Sequence, residues 1–174
     1  KEYLLRGADY YYQGQYGDLG QKLKAGVFLE FDNKGDNLGI PLPKGVVRVY
    51  KKDASGRAQF IGEDRIDHTA KGEKVRLKLG EAFDINADKK QTDYQKIANY
   101  GRSGGVFETA YQLEIRNAKK EAIKVKVVEP MPGDWQMVAE SLPHKKESAH
   151  AAVWEVPVAA EGRTVLTWRA RIRY

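Results

Sequence analysis

Apolar and polar residues alternate one by one along much of this 174-residue chain. In "KVRLKL", residues 74–79, Val75, Leu77 and Leu79 fall on one side of an extended backbone, and Lys74, Arg76 and Lys78 fall on the other. In "AIKVKVV", 122–128, Ile123, Val125 and Val127 oppose Lys124 and Lys126. In "WRARIRY", 168–174, Trp168, Ala170, Ile172 and Tyr174 oppose Arg169, Arg171 and Arg173. A period of two sends successive side chains to opposite faces, so each segment predicts a strand with one face in a core and one in water. Polar turn signals separate them: "KKDASGR" at 51–57, "HTAKGE" at 68–73, "RNAKKE" at 116–121 and "AAEGR" at 159–163. Short strands at this spacing predict antiparallel β-sheet rather than βαβ units. The one helical expectation is a short helix near "TDYQKIANY", 92–100.

The fold class read from this pattern is all-β: an immunoglobulin-like antiparallel β-sandwich, with two sandwich units in tandem. The tandem reading rests on an internal echo. "VFLEFDN" (27–33) precedes "PLPKGVVRVY" (41–50), and "YQLEIRN" (111–117) precedes "EPMPGDWQMV" (129–138). Each is a strand ending in Asn, then Pro-x-Pro, then another strand. Asn tolerates a left-handed turn conformation, and the prolines cannot donate to a ladder. The units are placed at 1–85 and 86–174, with a boundary good to about ten residues. A single larger β domain is the alternative. The glycine-rich "NYGRSGG", 99–105, reads as the most flexible connection. The opening "KEYLLRGADY" reads as the middle of a strand, which predicts a piece of a longer chain.

Composition narrows the function classes. Hydrophobic residues make up 41% of the chain, enough for a packed core. There is no cysteine, which excludes disulfides, thiolate zinc sites and a thiol nucleophile. No apolar run is long enough for a transmembrane helix. The net charge is +6, but 24 acidic residues are interleaved with 30 basic ones. Arg76, Lys78, Lys124, Lys126, Arg169, Arg171 and Arg173 form basic ladders on strand faces. They are candidate binding residues for acidic polysaccharide or another polyanion only if they converge on one surface.

Candidate chemistry is sparse. "GEDRIDHT", 62–69, crowds Glu63, Asp64, Asp67 and His68. On a strand, Glu63, Arg65 and Asp67 face one way and Asp64, Ile66 and His68 the other, which splits the acids and predicts a turn rather than a metal site. Arg65 is then placed to pair with Glu63 or Asp67. "DNKGDN", 32–37, lacks the acidic spacing of a calcium loop and predicts a hairpin loop. No Gly-x-Ser-x-Gly elbow, phosphate loop or dinucleotide glycine pattern occurs, and His68, His144 and His150 fall in no nucleophile-activating pattern. Glycoside hydrolysis needs only two placed carboxylates, so a glycan-acting enzyme stays as an alternative. In "YYYQGQYG", Tyr10, Tyr11 and Tyr12 put rings on both faces of a strand, either to bind sugar or protein or to cover a domain edge. Trp135, Trp154 and Trp168 lie among apolar neighbours and are read as core.

Three stretches carry a family resemblance: "LGIPLPKGVVRVYKKD", "FIGEDRIDHTAKGEKVRLKLGEAFDI" and "YQLEIRNAKKEAIKVKVVEPMPGDW". Together they resemble the bacterial domain of unknown function numbered 4139, over Val27 to Tyr174. Gly62, Glu63, Asp64, His68, Thr69, Gly72 and Phe83 belong to that family's pattern, and a turn needing glycine and small polar groups accounts for most of them. The resemblance implies a β-rich C-terminal region of exported bacterial proteins, some labelled mucoidy inhibitor-like, and a periplasmic or extracellular location. It carries over no catalytic residue. The expectation is therefore a non-enzymatic structural or binding module of the cell envelope, with no cofactor and no metal. Its expected partner is a protein or envelope polymer rather than nucleic acid, with homo-oligomers formed by strand-edge pairing.

Overall fold

The computed structural model describes residues 1–8, 12, 14–53, 55–100 and 104–174. The fold is all-β, and no helix occurs among the described residues. The strands are β1 (Glu2–Arg6), β2 (Asp18–Asp32), β3 (Gly45–Lys52), β4 (Ala58–Ile66), β5 (Lys74–Tyr100) and β6 (Gly104–Asn117). They continue with β7 (Ile123–Pro130), β8 (Asp134–Glu140), β9 (Lys145–Ser148), β10 (Ala151–Val158) and β11 (Arg163–Arg173). Nine of them hydrogen-bond in the order β8-β11-β6-β5-β2-β1-β7-β10-β9, and β3 and β4 form a separate two-stranded ribbon. The ends of the nine-strand order, β8 and β9, do not pair with each other.

The chain clusters into two compact units. The first holds Lys1–Tyr3 and Gly26–Ala82; the second holds Leu4–Ala25 and Phe83–Tyr174. Strands β1, β2 and β5 each give one part to either unit.

The core of the second unit is aromatic. Trp154 on β10 and Trp168 on β11 are buried with ring centroids 5.1 Å apart, and Tyr111 on β6 stacks on Trp168 at 5.4 Å. β10 and β11 are not hydrogen-bonded neighbours. Their rings meet at a tilt of 35° across a core, as in layered sheet packing. All three tryptophans are buried, as their sequence neighbours predict. In the strand phases, Val75, Leu77, Val125, Val127, Ala170 and Ile172 are buried while Lys74, Arg76, Lys124 and Arg171 are exposed. The sandwich-forming alternation read from the sequence is thus present strand by strand.

The predicted helix at 92–100 is instead the end of β5, which pairs antiparallel with β6 from Ile85↔Asn117 to Tyr100↔Gly104. Bulges between Gln91/Asp93 and Lys96/Ala98 break its alternation and give the irregular pattern that looked helical. The segment 99–105 therefore joins two paired strands of the second unit; residues 101–103 lie outside the described residues. A glycine-rich hairpin connection and a linker carry the same composition.

The Asn-ended strands share one device. In the first unit Asn33 is fully buried; its Nδ2 donates to the carbonyls of Ile40 (2.7 Å) and Ala70 (2.9 Å), and its Oδ1 accepts from Gly39 N (2.9 Å). In the second unit Asn117 is buried; its Nδ2 donates to the carbonyls of Glu121 and Ala159 (both 2.9 Å), and its Oδ1 accepts from Lys119 N (2.9 Å). The turns that they hold also match. Glu73 N bonds Ala70 O with Gly72 at φ 85°, and Gly162 N bonds Ala159 O with Glu161 at φ 49°. Neither Asn has positive φ, so its role differs from the left-handed turn expected. The amide clamps two loops to a strand end. "DNKGDN" is the start of such a clamped loop rather than a hairpin, because β2 and β3 do not pair.

Candidate binding surface

The β3–β4 ribbon presents two unlike faces. Its register pairs Tyr50 with Phe60, Arg48 with Glu63 and Val46 with Arg65, and a bulge lies between Val49 and Tyr50. The alternate pairs, Val47↔Asp64 and Val49↔Gly62, have half-buried members. This inner face lies against β5. A Cβ on Gly62 would come within 2.8 Å of Leu79 O, so only glycine admits that backbone approach. Asp64 adds a tie: its carboxylate accepts from Lys78 N (2.7 Å) and Arg65 N (2.8 Å). Those backbone donors, Lys78 first, hold its pKa below the usual carboxylate value.

The outer face carries an aromatic pair in water. Tyr50 is 54% exposed, Phe60 56% and Val46 49%, and the two rings meet edge to face at 5.7 Å. Lys51, Lys52 and Arg57 are exposed at the same end of the ribbon. Asp53, the acid of that turn, is engaged locally: it accepts from Ser55 N (2.8 Å), Ser55 Oγ (2.7 Å), Arg57 N (3.0 Å) and Gln59 Nε2 (3.1 Å). Its pKa is lowered, first by the Ser55 hydroxyl. The outer face therefore combines an aromatic pair with the Arg48–Glu63 ion pair, and exposed cations lie at the turn end of the ribbon. Among the described residues, the two-stranded ribbon also leaves one edge of each strand without a strand partner.

The acid–histidine stretch does not converge on one point. Glu63 pairs across the strands with Arg48 (3.0 Å), not along its own strand with Arg65. Directly opposed residues on paired strands are nearer than residues two apart on one strand. Thr69 bridges to Leu42 through both backbone bonds (2.9 and 3.0 Å), and its hydroxyl donates to Asp67 O (3.0 Å). His68 Nδ1 lies 3.4 Å from Lys44 N, and Gly72 N donates to Asn33 O (2.8 Å). So Gly62, Asp64, Thr69 and Gly72 hold backbone in place. Among the described residues no three His, Asp or Glu side chains are grouped to hold a metal ion.

No family model, curated protein or solved structure matches the chain.

The basic ladders are interleaved with acids. Lys124 pairs with Glu155 (3.4 Å) and Lys126 with Glu147 (2.9 Å). Arg169 contacts Asp93 (2.8 Å) and Glu108 (3.2 Å), and Arg171 contacts Glu108 (2.9 Å). Arg76 bonds Glu2 (2.7 Å) and Glu30 (2.9 Å) and lies over the Phe28 ring. Four strands stand between β11, which carries Arg169, Arg171 and Arg173, and β7, which carries Lys124 and Lys126. Arg76 and Lys78 belong to the other unit. The structure does not set these ladders on neighbouring strands. Asp93 and Glu108 do converge on Arg169, but that guanidinium lowers the Asp93 pKa, opposite to what a glycosidase acid requires.

Of the tyrosine cluster, Tyr10 and Tyr11 lie outside the described residues. Tyr12 is fully buried in the second unit and presents no surface for sugar. Its hydroxyl donates to Glu129 Oε1 (2.6 Å), which also accepts from Lys89 Nζ (2.6 Å). Lys89 is 4% exposed and Glu129 1%. Sequence reasoning passed over this pair although a signal was there. Lys89 continues the buried phase Ile85, Ala87 on β5, and Glu129 continues Val125, Val127 on β7. Opposite charges, each in an apolar phase, call for one another.

Proposed function

We propose that the chain is a non-enzymatic binding module of an exported bacterial protein, and that the outer face of the β3–β4 ribbon is its contact surface. The bacterial envelope setting rests on the resemblance of residues 27–174 to the 4139 domain family. The observation that carries the binding reading is the Tyr50–Phe60 pair, left in water on a ribbon whose other face is half-buried. Exposed aromatic residues in contact are a costly way to make a surface unless something covers them. Lys51, Lys52 and Arg57 beside the pair favour an acidic occupant. The unpaired strand edges suit an extended one. The partner is therefore an extended protein segment bearing apolar and acidic side chains.

The test is selection from a displayed library of linear peptides, followed by titration of the winners. The reading expects acidic–apolar peptides that shift the amide resonances of residues 45–66. Two buried aromatic anchors are worth enough that Tyr50→Ser with Phe60→Ser should weaken binding by more than about tenfold. Peptides without that chemistry, or peptides that bind the double variant equally well, would refute it.

A further inference from the structure

The buried Lys89–Glu129 contact is built more closely than an ordinary ion pair. Nζ is 2.6 Å from Oε1, and the Tyr12 hydroxyl donates to that same oxygen. Nζ lies 5.1 Å from the ring centroids of both Tyr111 and Trp168, so aromatic faces flank the amine. The Glu129 carboxyl sits where a Cβ on Gly7 would be 2.0 Å from Oε2 and 2.9 Å from Cδ. Gly7 thus makes the space that the second carboxylate oxygen occupies. Its own N–H is tied to Val128 O (2.8 Å) on the strand of Glu129.

We propose that Lys89 and Glu129 condense to an intramolecular isopeptide bond linking β5 to β7. The reaction needs no co-reactant. A proton passes from the Lys89 ammonium to the Glu129 carboxylate along their hydrogen bond, giving amine and acid. The amine lone pair attacks Cδ, one bond beyond Oε1. Negative charge develops on Oε2, in the space that Gly7 leaves. A second proton passes from nitrogen to Oε1, which departs as water while the Tyr12 hydroxyl donates to it. An ammonium and a carboxylate become one amide and one water, so charge and atoms balance.

Three physical terms favour it. Fixed opposed groups react with effective molarities of about 10⁵–10⁸ M. Burial lowers the Lys89 pKa despite its acidic neighbour, which opens the neutral amine. Condensation replaces two desolvated charges with a neutral amide and releases water from an aromatic site to solvent. Tyr12 is suited to donate, because burial, and then Glu129, raise its pKa well above the ordinary tyrosine value and keep it protonated.

The experiment is mass spectrometry of the purified, denatured chain, before and after trypsin. The expected intact mass is lower than the sequence mass by one water. The digest should contain residues 79–90 joined to residues 127–145, with no cleavage after Lys89. Lys89→Met should show its full sequence mass. Full mass for the native sequence with tryptic cleavage after Lys89 would overturn the proposal. So would the loss of one water without the joined peptide. Both readouts come from the native sequence, so they do not depend on the variant folding, and neither depends on the peptide-binding role of the ribbon.

Discussion

Asn117→Ala is the most informative single change, because its cost can be worked from three bonds. Nδ2 serves the Glu121 and Ala159 carbonyls and Oδ1 serves Lys119 N, all at 2.9 Å, in a side chain only 2% exposed. Each buried hydrogen bond is worth about 0.5–1.5 kcal/mol net, and its loss strands the backbone partner. The expected destabilisation is therefore about 2–4 kcal/mol. With a urea m-value of about 2 kcal/mol/M, the midpoint should fall by about 1–2 M at unchanged slope. Trp135, Trp154 and Trp168 all lie in the second unit with Asn117, so tryptophan fluorescence during urea unfolding reads the right structure. Asn117→Asp is the companion. It keeps the acceptor for Lys119 N but turns a carboxylate oxygen toward two carbonyls, so it should cost as much or more at neutral pH. If both variants unfold within about 0.5 kcal/mol of the parent, the range of ordinary surface substitutions, the clamp is not holding the loops.

The matching turns make a paired prediction. Glu161 occupies at φ 49° the place that Gly72 holds at φ 85°, so Glu161→Gly should stabilise and Gly72→Ala destabilise, each by about 1 kcal/mol, read by thermal unfolding. Alkaline stability follows from the buried tyrosines. Burial pushes Tyr111 up to about 12 and Tyr12 well above its ordinary value. A raised folded-state pKa gives stability that is complete below the unfolded tyrosine value of about 10 and is lost as pH rises toward 12. Unfolding free energy should fall across that window, and the tyrosinate absorbance of the folded chain should show a late-titrating class. A single titration near 10 for every tyrosine would contradict the burial.

What the sequence made legible was local. Val75, Leu77, Val125, Val127 and Ile172 could be assigned to a core because alternation is a short-range signal, and the three tryptophans followed from their neighbours. Asn33 and Asn117 stood out as equivalent, although their chemistry did not. An amide reaching Ala70 or Ala159 spans 37 or 42 residues, and nothing local marks the acceptor. The same limit hid the partners of the basic ladders: Arg169 finds Glu108 at a separation of 61 residues. It hid Lys89 and Glu129 more thoroughly, since either charge alone looks like a slip in an apolar phase. The end of β5 was misread because bulges removed the alternation that would have marked it as a strand. Sequence reasoning did not single out Tyr50 and Phe60, because their exposure depends on what packs against the other side of the ribbon.

The division of the chain also sets an order of events during synthesis. The first unit has all its residues once position 82 has been made, whereas the second begins at Leu4 and waits for the segment from Phe83 to Tyr174. Chains fold as they emerge, N-terminal units first. Gly7 and Tyr12 therefore leave the ribosome long before Lys89 and Glu129, and they spend that interval without the core that they will line. A free chain ending at residue 82 should protect the ribbon from protease while leaving Leu4 to Ala25 open to cleavage.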